Sequence, residues 1–254
     1  MPHLLRISRK RERWPSNEFP FSVETIRTFE QLDVNVGVTF FVGENGSGKS
    51  TLLEGIASAA ELPTSDRTLA SSDATLGRQR ALGDELRLAW TARSRKGLFL
   101  RAEDFFGQIK SIARAHARVA REKAELRTGE RGPLLTDDGM HVDEERAYEL
   151  VERFDARSHG ESFMDVFEGI KPGGLYLFDE PEAPLSPTRQ IRALDMIEKH
   201  AAIGAQLIIA THSPILLSCK SARIFSFDHA PIAEVRYDDL EHVRVTRDFL
   251  NRRR

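Results

Sequence analysis

Cysteine is almost absent. Cys219 stands alone among 254 residues, which excludes an internal disulfide and any zinc site built from several cysteines. No run approaches the ~18 consecutive apolar residues of a membrane-spanning helix, so no membrane insertion is expected. The chain opens Met1-Pro2-His3-Leu4-Leu5 and runs straight into Arg6, Arg9, Lys10, Arg11 and Arg13. A secretory signal would need an apolar core of ~7–15 residues here; the expected location is therefore the cytoplasm. An excess of one charge sign is missing too. Lys+Arg number 37 against 39 Asp+Glu, a net charge of −2, which argues against a surface coated all over for nucleic acid. With 40% hydrophobic residues, the same balance argues against disorder. No internal repeat and no low-complexity tract occurs. What is present is one chain of α/β size, long enough to bury a core.

The apolar run Val34–Val42 (VNVGVTFFV) is β-branched and aromatic and ends in Gly, the pattern of a buried strand. A helix is expected from Lys49 to about Ala60, with Pro63 closing it. Residues 61–83 are rich in Ser, Thr, Asp and Gly and read as a loop. Glu85–Arg93 and Gly97–Ala102 alternate as two strands. Phe105–Arg127 and Asp143–Arg157 follow a helical pattern. Leu175–Phe178 and Gln206–Ala210 read as short buried strands. A helix should start at Pro187, capped by Ser186. Arg223–Asp228 and Ala233–Tyr237 suggest a terminal strand pair, and Leu240–Arg252 a last helix. Strands and helices alternate at both ends around a helical block.

Gly43-Glu44-Asn45-Gly46-Ser47-Gly48-Lys49-Ser50 fits G-x-x-x-x-G-K-[ST], the P-loop. Its glycines let successive backbone N–H groups curl around phosphate oxygens at the positive end of the next helix. Lys49 reaches the β- and γ-phosphates, and Ser50 offers a hydroxyl to Mg²⁺. Leu175-Tyr176-Leu177-Phe178-Asp179-Glu180 ends a buried strand in two carboxylates. There Asp179 can anchor the metal through water, and Glu180 can orient or deprotonate an attacking water. His212, in Thr211-His212-Ser213, lies beyond the carboxyl end of Gln206–Ala210, on the ligand side of an open α/β sheet. Taken alone, such a histidine reads as a surface residue. His116, His141, His200 and His242 carry no motif. Ser158-His159-Gly160-Glu161-Ser162, taken alone, reads as a capped helix start.

In order and spacing, GENGSGKS, SHGES, LYLFDE and the histidine after LIIAT resemble the ATP-binding-cassette (ABC-type) ATPases. SHGES departs from the usual LSGGQ signature but keeps Ser158 and Gly160. Together with FDEPEAPLSP it is similar to the stand-alone soluble branch related to RecF/SMC-like AAA-family and phage-defence ATPases. The resemblance implies an α/β P-loop NTPase core with a mixed sheet and an inserted helical subdomain. The whole chain, 1–254, would be one domain, with 1–103 and 166–254 as the core lobe and 104–165 as the helical lobe. It implies ATP and Mg²⁺ as cofactors, with Gly43, Asn45, Gly46, Ser47, Gly48, Lys49, Ser50 and Thr51 around the phosphates. Ser50 and Asp179 would hold the metal, and Glu180, His212 and Lys49 would act in hydrolysis. It further implies an ATP-dependent head-to-tail homodimer, in which Ser158 and Gly160 of one copy close on the γ-phosphate of the other. Ser186 stands where the family usually has Asp. Arg101 or Glu103 stands where its glutamine is sought, Gln79 and Gln108 lying off the strand end. Phe19, Phe21 and Phe29 are candidates for the aromatic that stacks on adenine. The partner would be a nucleic acid or a protein effector, in a DNA-repair or phage-defence setting. The alternative reading is the ATP-binding subunit of a membrane ABC transporter.

Between Gln108 and Arg131 there are seven Lys/Arg and three Glu. Lys110, Arg114, Arg118 and Arg121 share one helical face. This stripe suits phosphate backbone or an acidic partner; a solvated face balanced by Glu122 and Glu125 is the preferred reading. The N-terminal basic run and Arg252–Arg254 suit nucleic-acid contact or solubility equally. Cys219 reads as a small buried apolar residue.

Overall fold

The computed structural model describes residues 2–64, 77–94, 96–103 and 159–252, excepting the side chains of 77–79 and 159–162. The expected helices Phe105–Arg127 and Asp143–Arg157, the basic stripe and Ser158 lie outside the described residues.

Three apolar segments make the centre. β3 (Val38–Val42), β6 (Leu175–Asp179) and β7 (Gln206–Ala210) are buried at every position, as strands covered on both faces must be. With β5 (Gly97–Arg101), β8 (Arg223–Ser226) and β9 (Ala233–Val235) they form a six-stranded sheet in the order β5-β6-β7-β3-β8-β9. All neighbours are parallel except the edge pair β8–β9. Period-two alternation then sorts the side chains. Phe41, Leu177 and Ile208 face one core, while Phe40, Phe178 and Ile209 face the other.

The first core lies under a second sheet. β1 (Leu4–Arg9) pairs antiparallel with both β2 (Gln31–Asp33) and β4 (Leu86–Trp90). Helix α2 (Lys49–Ala60) buries Leu52, Leu53, Ile56 and Ala57 in this core, together with Leu4, Ile7 and Leu32. It ends where Glu61 takes a left-handed conformation and Leu62 N–H returns to Ala57 O at 3.0 Å. The second core holds α4 (His159–Glu168) through Phe163 and Phe167, and α5 (Pro187–Ala202) through Ala193 and Ile197. It also holds Leu216, Leu217 and Cys219, and α6 (Glu241–Asn251) through Val243.

Three segments depart from expectation. Val34–Val42 is not one strand: β3 begins at Val38, because Gly37 packs on Ala201, 3.1 Å from where a Cβ would be. The expected loop 61–83 contains the start of a helix, α3 (Gly77–Glu85), whose Leu82 is fully buried beside Gly55 of α2. The two strands expected on either side of residue 95 belong to different sheets. β5 starts at Gly97, whose φ is +154° and where a Cβ would lie 2.0 Å from Leu175 O; this close approach admits only glycine. Among the described residues the other expected elements are present, though the strand expected over Ala233–Tyr237 stops at Val235 and Tyr237 opens a 3-10 turn; the Ser186 cap is there too, its Oγ accepting from Arg189 N–H at 3.4 Å.

The N-terminal basic run is matched by acids. Arg6 pairs with Asp33 at 2.6 Å, Arg9 with Glu30 at 3.1 Å and Arg11 with Glu85 at 3.3 Å, so much of it is not open cationic surface. Among the described residues no helix is long and apolar enough to cross a membrane.

Candidate functional site

The carboxyl ends of β3, β6 and β7 meet at one rim. Between β3 and α2 the chain turns through Gly43, Gly46 and Gly48, whose φ angles are 141°, 81° and 104°. Gly48 has no substitute: a Cβ there would lie 2.6 Å from Thr25 Oγ1 and 3.0 Å from Val23 Cγ1. Thr25, on the one-turn helix α1 (Glu24–Arg27), donates its hydroxyl to Ser47 O and braces the loop from outside. On the other side Glu44 N–H donates to Asp228 Oδ1 at 2.9 Å, and Ser226 Oγ steadies Asp228 at 2.9 Å. Asn45 and Gly46 are exposed at the crest, and Lys49, Ser50 and Thr51 open α2. This is an anion-binding geometry, with backbone donors gathered at a helix N-terminus.

Lys49 Nζ folds back to donate to Gly43 O at 2.5 Å and Glu44 O at 2.9 Å. Burial holds its pKa below the ordinary lysine value, against the pull of Glu180, Asp179, Asp228 and Glu44. Ser50 Oγ donates to Asp179 Oδ1 at 3.1 Å, joining α2 to the end of β6. Asp179 is only 8% exposed. Burial pushes its carboxyl from 3.8 up to about 7, against the Ser50 hydrogen bond; Glu54 and Glu180 add to the rise.

Glu180 follows with φ 51°, a left-handed conformation that costs a non-glycine residue about 1–2 kcal/mol. Its N–H is anchored on Ala210 O at 2.9 Å. The turn leaves its side chain 49% exposed, with Oε1 4.0 Å from His212 Nε2. His212 is held through its own N–H, which donates to Glu182 Oε1 at 2.7 Å. Glu182 Oε2 and His212 Nε2 are buried with no hydrogen-bond partner among the described residues.

The structure therefore brings Lys49, Ser50, Asp179, Glu180 and His212 to one rim. Gly160 lies in the first turn of α4. Of the aromatic candidates, Phe21 and Phe29 are buried at 3% and 2% exposure and have no face for a base, whereas Phe19 is 41% exposed. Gln79 opens α3 and Glu103 is exposed; Gln108 lies outside the described residues. Arg101 ends β5, level with Asp179. It donates to Glu54 Oε1 at 3.0 Å in an ion pair whose side chains are 11% and 7% exposed. Glu54 sits one helical turn beyond Ser50. Four contributors were not visible from the motifs: Thr25, Glu54, Glu182 and Asp228. Glu182, two residues after Glu180 in FDEPE, carried the one available signal.

A parallel sheet, a glycine loop leading into a helix, and a strand between the loop strand and the acidic strand define a P-loop NTPase domain. Two family models, both for AAA domains, match the chain. One, described as "AAA domain", covers residues 21–127. The other, "AAA domain, putative AbiEii toxin, Type IV TA system", covers residues 163–218. Between them they take in the loop, Asp179, Glu180 and His212, and the chain is in this respect similar to AAA-family P-loop ATPases. No curated protein matches it. Among solved structures, it is similar to the SMC head domain from Thermotoga maritima at 18% identity and a TM-score of 0.45, covering 92% of this chain and 98% of that one. It is also similar to an ATP-binding cassette bound to ADP and Pi, at 16% identity and a TM-score of 0.40, covering 93% and 99%.

Proposed function

We propose that this chain binds Mg·ATP and hydrolyses it in the cytoplasm, and that ATP draws two copies together head to tail to work on a nucleic acid or a protein effector. The observation that carries the reading is the Ser50–Asp179 contact of 3.1 Å at the mouth of the Lys49 loop. A hydroxyl and a carboxylate side by side suit Mg²⁺, which takes few protein oxygens and leaves phosphate and water to complete its shell. The charge balance supports the same ion. Glu180, Asp179, Asp228 and Glu44 all act on the one ammonium of Lys49, so the rim needs a cation before it can welcome a polyphosphate.

In this reading Gly43, Lys49, Thr51 and the backbone from Asn45 to Ser50 hold the phosphates, while Ser50 and Asp179 hold the metal. Glu180 orients the water that attacks the terminal phosphorus as the bond to the ADP oxygen breaks. His212 donates to the charge that builds on the phosphoryl oxygens. Most of the acceleration comes from positioning and charge, with little covalent chemistry left to the protein. Ser158 and Gly160, on the helical lobe 104–165, complete the site of the second copy. A partner in a defence setting is supported by the description of the family matched over residues 163–218.

The test is Glu180→Gln, which keeps the shape and removes the base. It should bind Mg·ATP, lose turnover by roughly 10²–10⁴-fold, and run as a dimer in ATP by analytical ultracentrifugation. Wild-type turnover in this variant would overturn the assignment of Glu180. Added DNA that stimulates the wild type at low salt, and fades steeply as salt rises, selects nucleic acid as the partner; no response selects a protein.

A further inference from the structure

Strands β6 and β7 lie side by side, with Asp179 level with Ala210, and the turns that follow them carry Glu180 and His212. The two turns are tied to each other directly: Glu180 N–H donates to Ala210 O at 2.9 Å, and His212 N–H to Glu182 Oε1 at 2.7 Å. A second tie runs through the side chain of Gln190, near the start of α5. Its Nε2 donates to Leu185 O, in the turn after β6, at 3.0 Å. Its Oε1 accepts the hydroxyl of Ser213, in the turn after β7, at 2.6 Å. Leu185 O can only accept, so the amide nitrogen must face it, and the amide oxygen is left for Ser213. One half-buried amide bridges both turns with each of its ends engaged.

Ser213 follows His212 in the chain and is 4% exposed, so water has little access to these bonds. Its hydroxyl gives its proton to Gln190 and accepts Leu216 N–H at 3.2 Å, while its own N–H donates to Thr211 Oγ1 at 3.0 Å. Thr211 is fully buried, and its N–H is held by Phe41 O of β3 at 3.1 Å. The backbone on both sides of His212 is therefore fixed, on one side by the sheet and on the other by α5. That helix is seated in the second core through Ala193 and Ile197, a rigid support for a functional side chain. The imidazole borne by this turn has its Nε2 4.0 Å from Glu180 Oε1.

We infer that Gln190 is a positioning residue of the hydrolytic site: by holding Ser213 it sets His212 against Glu180 and couples that placement to the seat of α5, an inference that rests on the hydrolysis reading above. Gln190 acts through Ser213 rather than on the phosphate itself. Its effect falls on the rate of the step and not on affinity, because Lys49 and the glycine loop belong to β3 and α2, outside the Gln190 bridge. Small misplacements of a reacting group are expensive in rate, so loosening the His212 turn is felt in kcat.

The experiment is steady-state Mg·ATP turnover by the full chain, per folded molecule and well below the melting temperature. Gln190→Met keeps the length and removes both bonds; kcat should fall about three- to tenfold, the worth of one hydrogen bond, with KM within about twofold of wild type. Gln190→Glu keeps an oxygen for the Ser213 hydroxyl and loses only the donor to Leu185 O, so its kcat should stay within about twofold of wild type. Ser213→Ala should slow turnover at least as much as Gln190→Met. The double variant Gln190→Met/Ser213→Ala should be no slower than Ser213→Ala alone, since both changes break the same bond. Unchanged kcat in Gln190→Met, a loss carried by KM, losses that multiply in the double variant, or a Gln190→Glu as slow as Gln190→Met overturn the inference and leave the ATP reading standing. A wild-type chain that does not turn over Mg·ATP overturns both. A second readout needs no nucleotide: the His212 ring C–H signals in ¹H–¹³C NMR should move in Gln190→Met and stay near their wild-type positions in Gln190→Glu. Ring signals that stay put in Gln190→Met overturn the proposal.

Discussion

The strand β7 has one buried polar residue at its start and leads into another region of buried polarity at its end, and the two behave in opposite ways. Gln206 opens the strand with 0% exposure. Its Oε1 accepts from His3 N–H at 3.0 Å and Leu4 N–H at 2.8 Å. Its Nε2 donates to Leu4 O at 2.8 Å and Val34 O at 2.7 Å. One side chain thereby ties the antiparallel sheet to the central one with every polar atom engaged. At the far end, His212 Nε2 and Glu182 Oε2 have no hydrogen-bond partner among the described residues, burial pushes the Asp179 carboxyl up to about 7, and Glu180 has left-handed backbone. A satisfied buried network fixes a fold; an unsatisfied one at a sheet's carboxyl end is kept for something that binds. At Gln206 the polarity ties two sheets together; at the carboxyl end it lines the site.

The comparison breaks most sharply at Gln206. Gln206→Leu keeps the volume and strips partners from four backbone groups, those of Leu4 and Val34 buried and His3 N–H half-buried, at about 1–3 kcal/mol for each that water cannot reach. The expected loss is about 5 kcal/mol of unfolding free energy in a denaturant titration, with ATP turnover per folded molecule unchanged. A loss below about 1 kcal/mol would show that Gln206 is ornament rather than a tie between sheets.

Asp179 should respond with the opposite sign. Its carboxyl binds a proton more tightly in the fold, at about 7, than in the unfolded chain, at 3.8. Stability from this group is therefore complete below pH 4, declines as pH rises from 4 to 7, and stays low above that. The displacement corresponds to roughly 4 kcal/mol at most. Asp179→Asn removes the dependence: in the nucleotide-free chain it should be more stable than wild type at pH 8 by about 2–4 kcal/mol, and equal to it near pH 4. The same variant should lose Mg²⁺-dependent turnover. A destabilised Asp179→Asn at pH 8 would place this residue with Gln206, among the structural ties.

Local pattern carried the sheet and the loop because both are local. A strand buried on two faces is a short apolar run, and a phosphate loop is a fixed spacing of glycines before Lys49 and Ser50. What escaped came from contacts between distant segments. Helix α3 has no apolar stripe to announce it; Leu82 is buried because α2 offers Gly55 to receive it. The antiparallel sheet depends on β4 and β5 joining different sheets, with β4 pairing with the distant β1. Arg101 stands where an amide was sought, and its meaning lies in Glu54, invisible until α2 and β5 were side by side.

Glu182 tests the finer side of the comparison, since it has one foot in each category. Its Oε1 is engaged, accepting His212 N–H at 2.7 Å, and its Oε2 is buried and unengaged. If the first oxygen is what matters, Glu182 is a positioning residue that holds the turn carrying His212 at the height of Glu180. Glu182→Gln retains a carbonyl oxygen for that N–H and should keep kcat within about threefold, while Glu182→Ala frees the turn and should lower kcat about tenfold, the equivalent of one hydrogen bond. KM for ATP should hold in both, because the loop and Lys49 are untouched. If instead the unengaged oxygen is what matters, Glu182→Gln should be as impaired as Glu182→Ala, since it replaces that acceptor with a donor. Steady-state kinetics on the two variants decide between a residue that supports the fold of the rim and one that waits for a ligand.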